Sequence, residues 1–130
     1  MLNESEAVAF IPSVDLERSE RFYQDLLGLP LLSRTPFAVA FRVGGAILRV
    51  TRVDDLRTQS FTVFGWQVTD LLSAVSELRA RGIALLHFEG LGQDDREVWT
   101  TPSGDMVCWF HDPDLNVLSL TQLGPDQRHR

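Results

Sequence analysis

The sequence predicts an α+β protein: two tandem βαβββ modules, 7–53 and 61–122, within a single domain spanning 1–130. Three observations carry that reading. A short apolar run leads into a capped amphipathic segment at Val14-Asp15-Leu16, and the same happens at Thr69-Asp70-Leu71. Several short runs of strand formers, separated by turn residues, follow each segment. The halves close on similar strands, Leu48-Arg49-Val50-Thr51-Arg52 and Leu118-Ser119-Leu120-Thr121-Gln122. One module alone leaves a sheet face bare. Two are therefore expected to form a cupped mixed sheet around a cavity, with the helices on the outer face.

In the first module, residues 7–11 form a buried strand, and Asp15 or Ser13 caps the helix that follows. Phe22, Tyr23, Leu26 and Leu27 recur at helical spacing until Gly28 and Pro30 stop the helix. Residues 31–34 form a second strand. Gly44-Gly45 is a two-residue hairpin signal between strands 37–43 and 46–52. Pairing outward from it sets Val43 opposite Ala46, Arg42 opposite Ile47, Ala40 opposite Arg49 and Ala38 opposite Thr51. The alternate positions, Val39, Phe41, Leu48 and Val50, make an apolar face for the helix.

In the second module, a polar linker at 54–60 precedes a strand at 61–68, with Phe64, Trp66 and Val68 on one side and Val63, Gly65 and Gln67 on the other. Asp70 caps a helix carrying Leu71, Val75 and Leu78, which ends at Arg81-Gly82. A strand is expected at 83–88, then an acidic, glycine-rich loop at 89–96 and a strand at 98–101. The final hairpin turns on Asp112-Pro113-Asp114-Leu115-Asn116. A five-residue loop sets His111 opposite Val117, Trp109 opposite Ser119 and Val107 opposite Thr121. Cys108, Phe110, Leu118 and Leu120 then share an apolar face.

A net charge of −6 and a pI near 4.9 argue against a nucleic-acid partner, which would call for a basic patch. All 12 basic residues are arginine, which excludes lysine Schiff-base chemistry and a lysine-dependent phosphate loop. A lone Cys108 permits no intrachain disulfide and reads as a small buried hydrophobe. No signal pattern and no apolar run of spanning length is evident, so no membrane association is expected and the cytoplasm is the expected location. Residues 123–130, ending in Arg128-His129-Arg130, read as a flexible tail.

Two segments resemble the vicinal oxygen chelate superfamily of glyoxalase I, extradiol dioxygenases and bleomycin-resistance proteins. They are Val14-Asp15-Leu16-Glu17-Arg18-Ser19-Glu20-Arg21-Phe22-Tyr23 with Leu27-Gly28-Leu29, and Asp112-Pro113-Asp114-Leu115-Asn116-Val117-Leu118. The likeness covers about residues 7–122. Leu115 stands where that family's turn usually has glycine, and the turn's positive-φ residue is accordingly expected at Asn116. Metal-using members draw one ligand from each of four strands. Carried over, those positions fall at Val8, Arg49, Val63 and Ser119. Valine cannot coordinate, arginine repels a cation and one serine binds weakly, so the resemblance implies neither metal nor other cofactor here.

The same positions line the family's cavity, and strand alternation adds Phe10, Arg42, Ile47, Thr51, Gln67, Trp109 and Thr121. The expected ligand-binding set is therefore Phe10, Arg42, Arg49, Thr51, Gln67, Trp109, Ser119 and Thr121. The plainer alternative makes Arg42 and Arg49 solvated strand residues. His87 and His111 are the candidate general bases, each with a structural alternative, and the acids of 89–97 are expected to form a mobile loop at the cavity mouth. The function expected is metal-independent binding of a small molecule, sequestering an aromatic or carbonyl-bearing compound. The alternatives are a glyoxalase-like lyase or isomerase using a histidine base or an atypical metal site, and a degenerate subunit. The resemblance also implies a homodimer.

Overall fold

A computed structural model describes residues 1–125. The chain divides into two compact units: Met1–Thr58 together with Asp112–Asn116, and Gln59–His111 together with the chain from Val117 on. Each unit carries one four-stranded sheet.

The first unit runs β1 (Ala7–Ser13), α1 (Leu16–Glu20), a π-helical turn (Arg21–Leu26), β2 (Leu31–Arg34), β3 (Ala38–Val43) and β4 (Ala46–Arg52). Its sheet has the order β1-β4-β3-β2, with β1 parallel to β4 and the other pairs antiparallel. The Gly44-Gly45 hairpin has the register expected, and Val39, Phe41, Leu48 and Val50 are buried. Asp15 caps α1 by accepting from the Arg18 N–H. Ser13, the other capping candidate, instead hydrogen-bonds Ser19 Oγ at 2.7 Å.

The expected single α-helix to Gly28 is corrected. It widens from Arg21 onward, so that the Leu27 N–H donates to Phe22 O and the Leu29 N–H to Tyr23 O. Phe22 and Tyr23, two adjacent large rings, are both buried and meet edge to face at 5.1 Å. A regular helix turns adjacent side chains about 100° apart. The widened turn is where this chain places both rings inside.

The second unit runs β5 (Thr62–Gln67), α2 (Leu71–Ala80), β6 (Trp99–Thr100), β7 (Met106–His111) and β8 (Val117–Gln122). Its sheet order, β5-β8-β7-β6, repeats that of the first: the opening strand lies parallel to the closing one. The β7–β8 register is as expected, and Cys108, Phe110, Leu118 and Leu120 are buried. Trp66 stacks over Phe110 on that apolar side, ring centroids 6.3 Å apart.

The expected strand at 83–88 is not one. Only Leu85 bridges to Phe110, with the Leu86 N–H donating to Trp109 O. Beyond that point the Gln93 side chain takes over the backbone groups. Its Oε1 accepts from the Phe88 N–H at 2.7 Å, and its Nε2 donates to Leu86 O and Glu97 O. An amide that offers both donor and acceptor satisfies the segment locally and ends the ladder. The tail expected at 123–130 lies outside the described residues from 126 on. At its start Gly124 is buried and its N–H donates to Asp105 Oδ1 at 2.7 Å.

Candidate functional site

The two segments that carry the family resemblance are partners within the first unit. Tyr23 Oη donates to Asp112 Oδ2 at 2.7 Å. Asp114 accepts from the Val14 N–H, Arg18 Nη2 and Ser19 Oγ at 2.9–3.1 Å. Asn116 Nδ2 donates to Pro12 O, and Asp112 Oδ1 accepts from the N–H groups of Asp114 and Asn116. Asp112, Asp114 and Asn116 are all buried. Burial raises the Asp112 carboxyl above the ordinary range, with the Asn116 and Tyr23 donors pulling the other way. Every carboxylate of the turn is consumed in holding backbone and helix, so none is free for chemistry.

The turn's positive φ falls on Leu115, at +66°, and not on Asn116 as expected. The Asn116 side chain is committed to Pro12 O and Asp112 Oδ2, so it is Leu115, exposed and without such duties, that adopts the left-handed conformation.

On the first unit's sheet, the face away from the buried apolar residues carries Phe10, Arg42, Arg49 and Thr51. Phe10 is 64% exposed and pairs in register with Arg49. Arg42 is held by Glu6 Oε1 at 2.7 Å. Arg49 has no acidic partner among the described residues.

On the second unit's sheet, Trp109 is the centre. Trp99 stacks on it at 6.2 Å, which fixes Trp99 on the same face, and Phe88 meets it edge to face at 5.2 Å. Its indole Nε1 donates to Thr62 Oγ1 at 3.0 Å. These rings border a recess of about 480 Å³ lined by Ser60, Phe61, Thr62, Phe88, Glu89, Gly90, Leu91 and Trp109. Ser119 is buried against Gly65, where a Cβ would come within 2.4 Å of its Oγ. Thr121 is half-buried beside exposed Gln67. Phe61, Thr62 and Phe88 were not expected at the site. A register shift between Thr62 and Phe64 makes Val63 the extra residue, and Thr62 is the one that reaches the indole. Nothing in the residue types marks that bulge.

The histidines differ. His87 Nδ1 lies 2.6 Å from Glu97 Oε2, with Glu89 3.5 Å from Nε2. The Glu97 bond first, then its charge, raises the His87 pKa. A ring that holds its proton is a poor base near neutral pH. The 89–97 loop is therefore tied down by His87 and Gln93. His111 lies on the Trp109 face, half-buried opposite Val117. Burial pushes the Cys108 thiol up to about 11, which makes it inert.

A larger depression in the first unit, about 820 Å³, lies by Val14, Glu20, Arg34 and Arg52 and contains none of the expected ligand-binding residues. Its Arg34 is already bidentate to Glu20.

The family profile "Glyoxalase/Bleomycin resistance protein/Dioxygenase superfamily" matches residues 7–120. The chain belongs to that superfamily. Among solved structures, a glyoxalase/bleomycin resistance protein/dioxygenase from Alicyclobacillus acidocaldarius aligns over 100% of both chains at 22% identity, TM-score 0.74. A lactoylglutathione lyase from Agrobacterium tumefaciens aligns over 92% of this chain and 93% of its own at 16% identity, TM-score 0.71. A superfamily member from Nocardioides covers 95% and 85% at 21% identity, TM-score 0.70. At such identities the likeness is one of fold. The sequence matches no curated protein.

Do the residues fit the metal that some members of this superfamily use? Val8, Arg49, Val63 and Ser119 supply one hydroxyl among them, and that hydroxyl is packed against Gly65. Among the described residues no three His, Cys, Asp or Glu side chains gather to hold an ion. The donor set does not fit. No helix of the described chain is long and apolar enough to cross a membrane.

Proposed function

We propose that this superfamily member is a metal-independent small-molecule binding protein that sequesters an aromatic or carbonyl-bearing compound. The observation that carries this reading is the Trp109 recess. Stacked and edge-on rings give a planar guest apolar surface to cover, and the hydroxyl and backbone groups at its rim give polar anchors. A ring that buries ~100 Å² of apolar surface gains ~2.5 kcal/mol from that alone. Metal independence is supported by the donor chemistry at the four carried-over positions. A lyase or isomerase reading needs a placed base, and His87 is occupied by two glutamates.

The test is calorimetric titration with planar aromatic aldehydes, ketones and amides, with and without a chelator, while product formation is followed in the same samples. Saturable binding unaffected by chelator, with no turnover, supports sequestration. Turnover, or binding that needs added metal, overturns it.

A cytoplasmic homodimer is part of the same proposal. Support for the dimer comes from Phe37, which is 72% exposed. Sedimentation of the purified protein decides the oligomeric state.

A further inference from the structure

We propose that Arg49, on the first unit's sheet, receives the carboxylate of an aryl carboxylate that lies on that sheet; this rests on the reading above that the protein binds a small aromatic molecule. The inference comes from a census of the arginines. Three of those described are half-buried: Arg18, Arg42 and Arg49. Arg18 is paired with Asp114 at 2.9 Å and Arg42 with Glu6 at 2.7 Å. The Arg49 guanidinium has neither an ion pair nor a hydrogen bond among the described residues. A guanidinium taken partly out of water without a counter-charge is costly, and its five donors in a planar fork match a carboxylate.

The surroundings supply the rest of the recognition. Across the sheet the register row is Phe10, Arg49, Ala40, and the next row on the same face is Pro12, Thr51, Ala38. Neither row contains an acid, so no side chain of that stretch competes for the guanidinium. Phe10, on the strand next to Arg49, exposes most of its ring, which suits the aromatic part of a guest. The Thr51 hydroxyl, the other polar group of those rows, is buried and so is not offered to the guest. Arg42, by contrast, already has its carboxylate, which makes it an internal control.

The test uses the whole protein at neutral pH with two isosteric probes, 2-naphthoate and 2-naphthamide. Affinities are measured by calorimetry, and the Nε–Hε resonances of Arg49 and Arg42 are followed by NMR. The expected result is that naphthoate binds about tenfold or more tighter than the amide, the size of a charge-assisted hydrogen bond, and shifts Arg49 but not Arg42. Arg49→Met should erase the preference. Equal affinity for both probes in the parent protein overturns the inference and leaves the binder reading standing, since an arene still binds. A preference that survives Arg49→Met, or a shift at Arg42 in place of Arg49, also overturns it. Failure of both probes to bind overturns the inference and the binder reading together. The two-probe comparison needs no variant, so it holds even if Arg49→Met folds poorly.

Discussion

The Tyr23 hydroxyl donates to Asp112 Oδ2 at 2.7 Å with both side chains buried, which ties the π-helical turn to the Asp112–Asn116 loop inside the first unit. Burial, and then the charge of Asp112, drive the Tyr23 pKa far up, so the phenol stays a donor at every working pH. Tyr23→Phe should cost about 1–3 kcal/mol, because a buried acceptor loses its partner. The cost should grow with pH. The Tyr23 donor favours ionised Asp112, whose folded pKa is already raised, so its loss matters less once that carboxyl is protonated. Urea unfolding at pH 4 and pH 7 checks both the size and the sign.

Leu115 holds φ of +66° and is 57% exposed. Leu115→Gly relieves the left-handed strain, about 1–2 kcal/mol, against a backbone entropy cost of about 0.5–1 kcal/mol. A net gain of about 0.5–1 kcal/mol is expected, visible as a higher urea midpoint at unchanged slope.

Much of the fold was legible in the sequence, and the reason is local. Gly44-Gly45 and Asp112–Asn116 fix two hairpins, and a fixed turn plus a period of two decides every facing from Ala38 to Thr51 and from Val107 to Thr121. The misses came from groups acting at a distance or against propensity. The 83–88 run reads as a strand because its residues suit one, but Gln93 takes its backbone groups. The bulge at Val63 shifts Thr62 onto the indole without any glycine or proline to announce it. Of the candidate site, Trp109 and Arg49 were legible as face positions. That Arg42 is neutralised by Glu6, 36 residues away, is a fact of side-chain reach that no spacing rule carries.

Gly65 leaves no room for a larger residue. A Cβ there would meet Ser119 Oγ at 2.4 Å and Ser119 O at 2.8 Å. Gly65→Ala should destabilise by about 1–3 kcal/mol. Adding Ser119→Ala should restore little, because the backbone oxygen remains in place. Thermal unfolding of the single and double variants separates the two clashes.

His87 should titrate above the ordinary histidine value, with Glu97 as the main cause. The sign follows from linkage. A raised folded pKa adds stability that is complete below the unfolded value of about 6.5 and is lost as pH rises through the folded one. The stability difference between the parent protein and His87→Gln should therefore shrink as pH rises through that window. Glu97→Gln should bring the His87 titration, followed by NMR, back toward the ordinary value.

The most direct test of the binding account is the Trp109 indole N–H resonance during titration with 2-naphthamide, a neutral planar probe. Its hydrogen bond to Thr62 places that proton at the rim of the recess. A saturable shift at Trp109, accompanied by shifts at Phe61 and Phe88 that are lost in Trp109→Leu protein, is the result expected of a guest held on that wall. Binding detected by calorimetry with the Trp109, Phe61 and Phe88 signals all unmoved would contradict it.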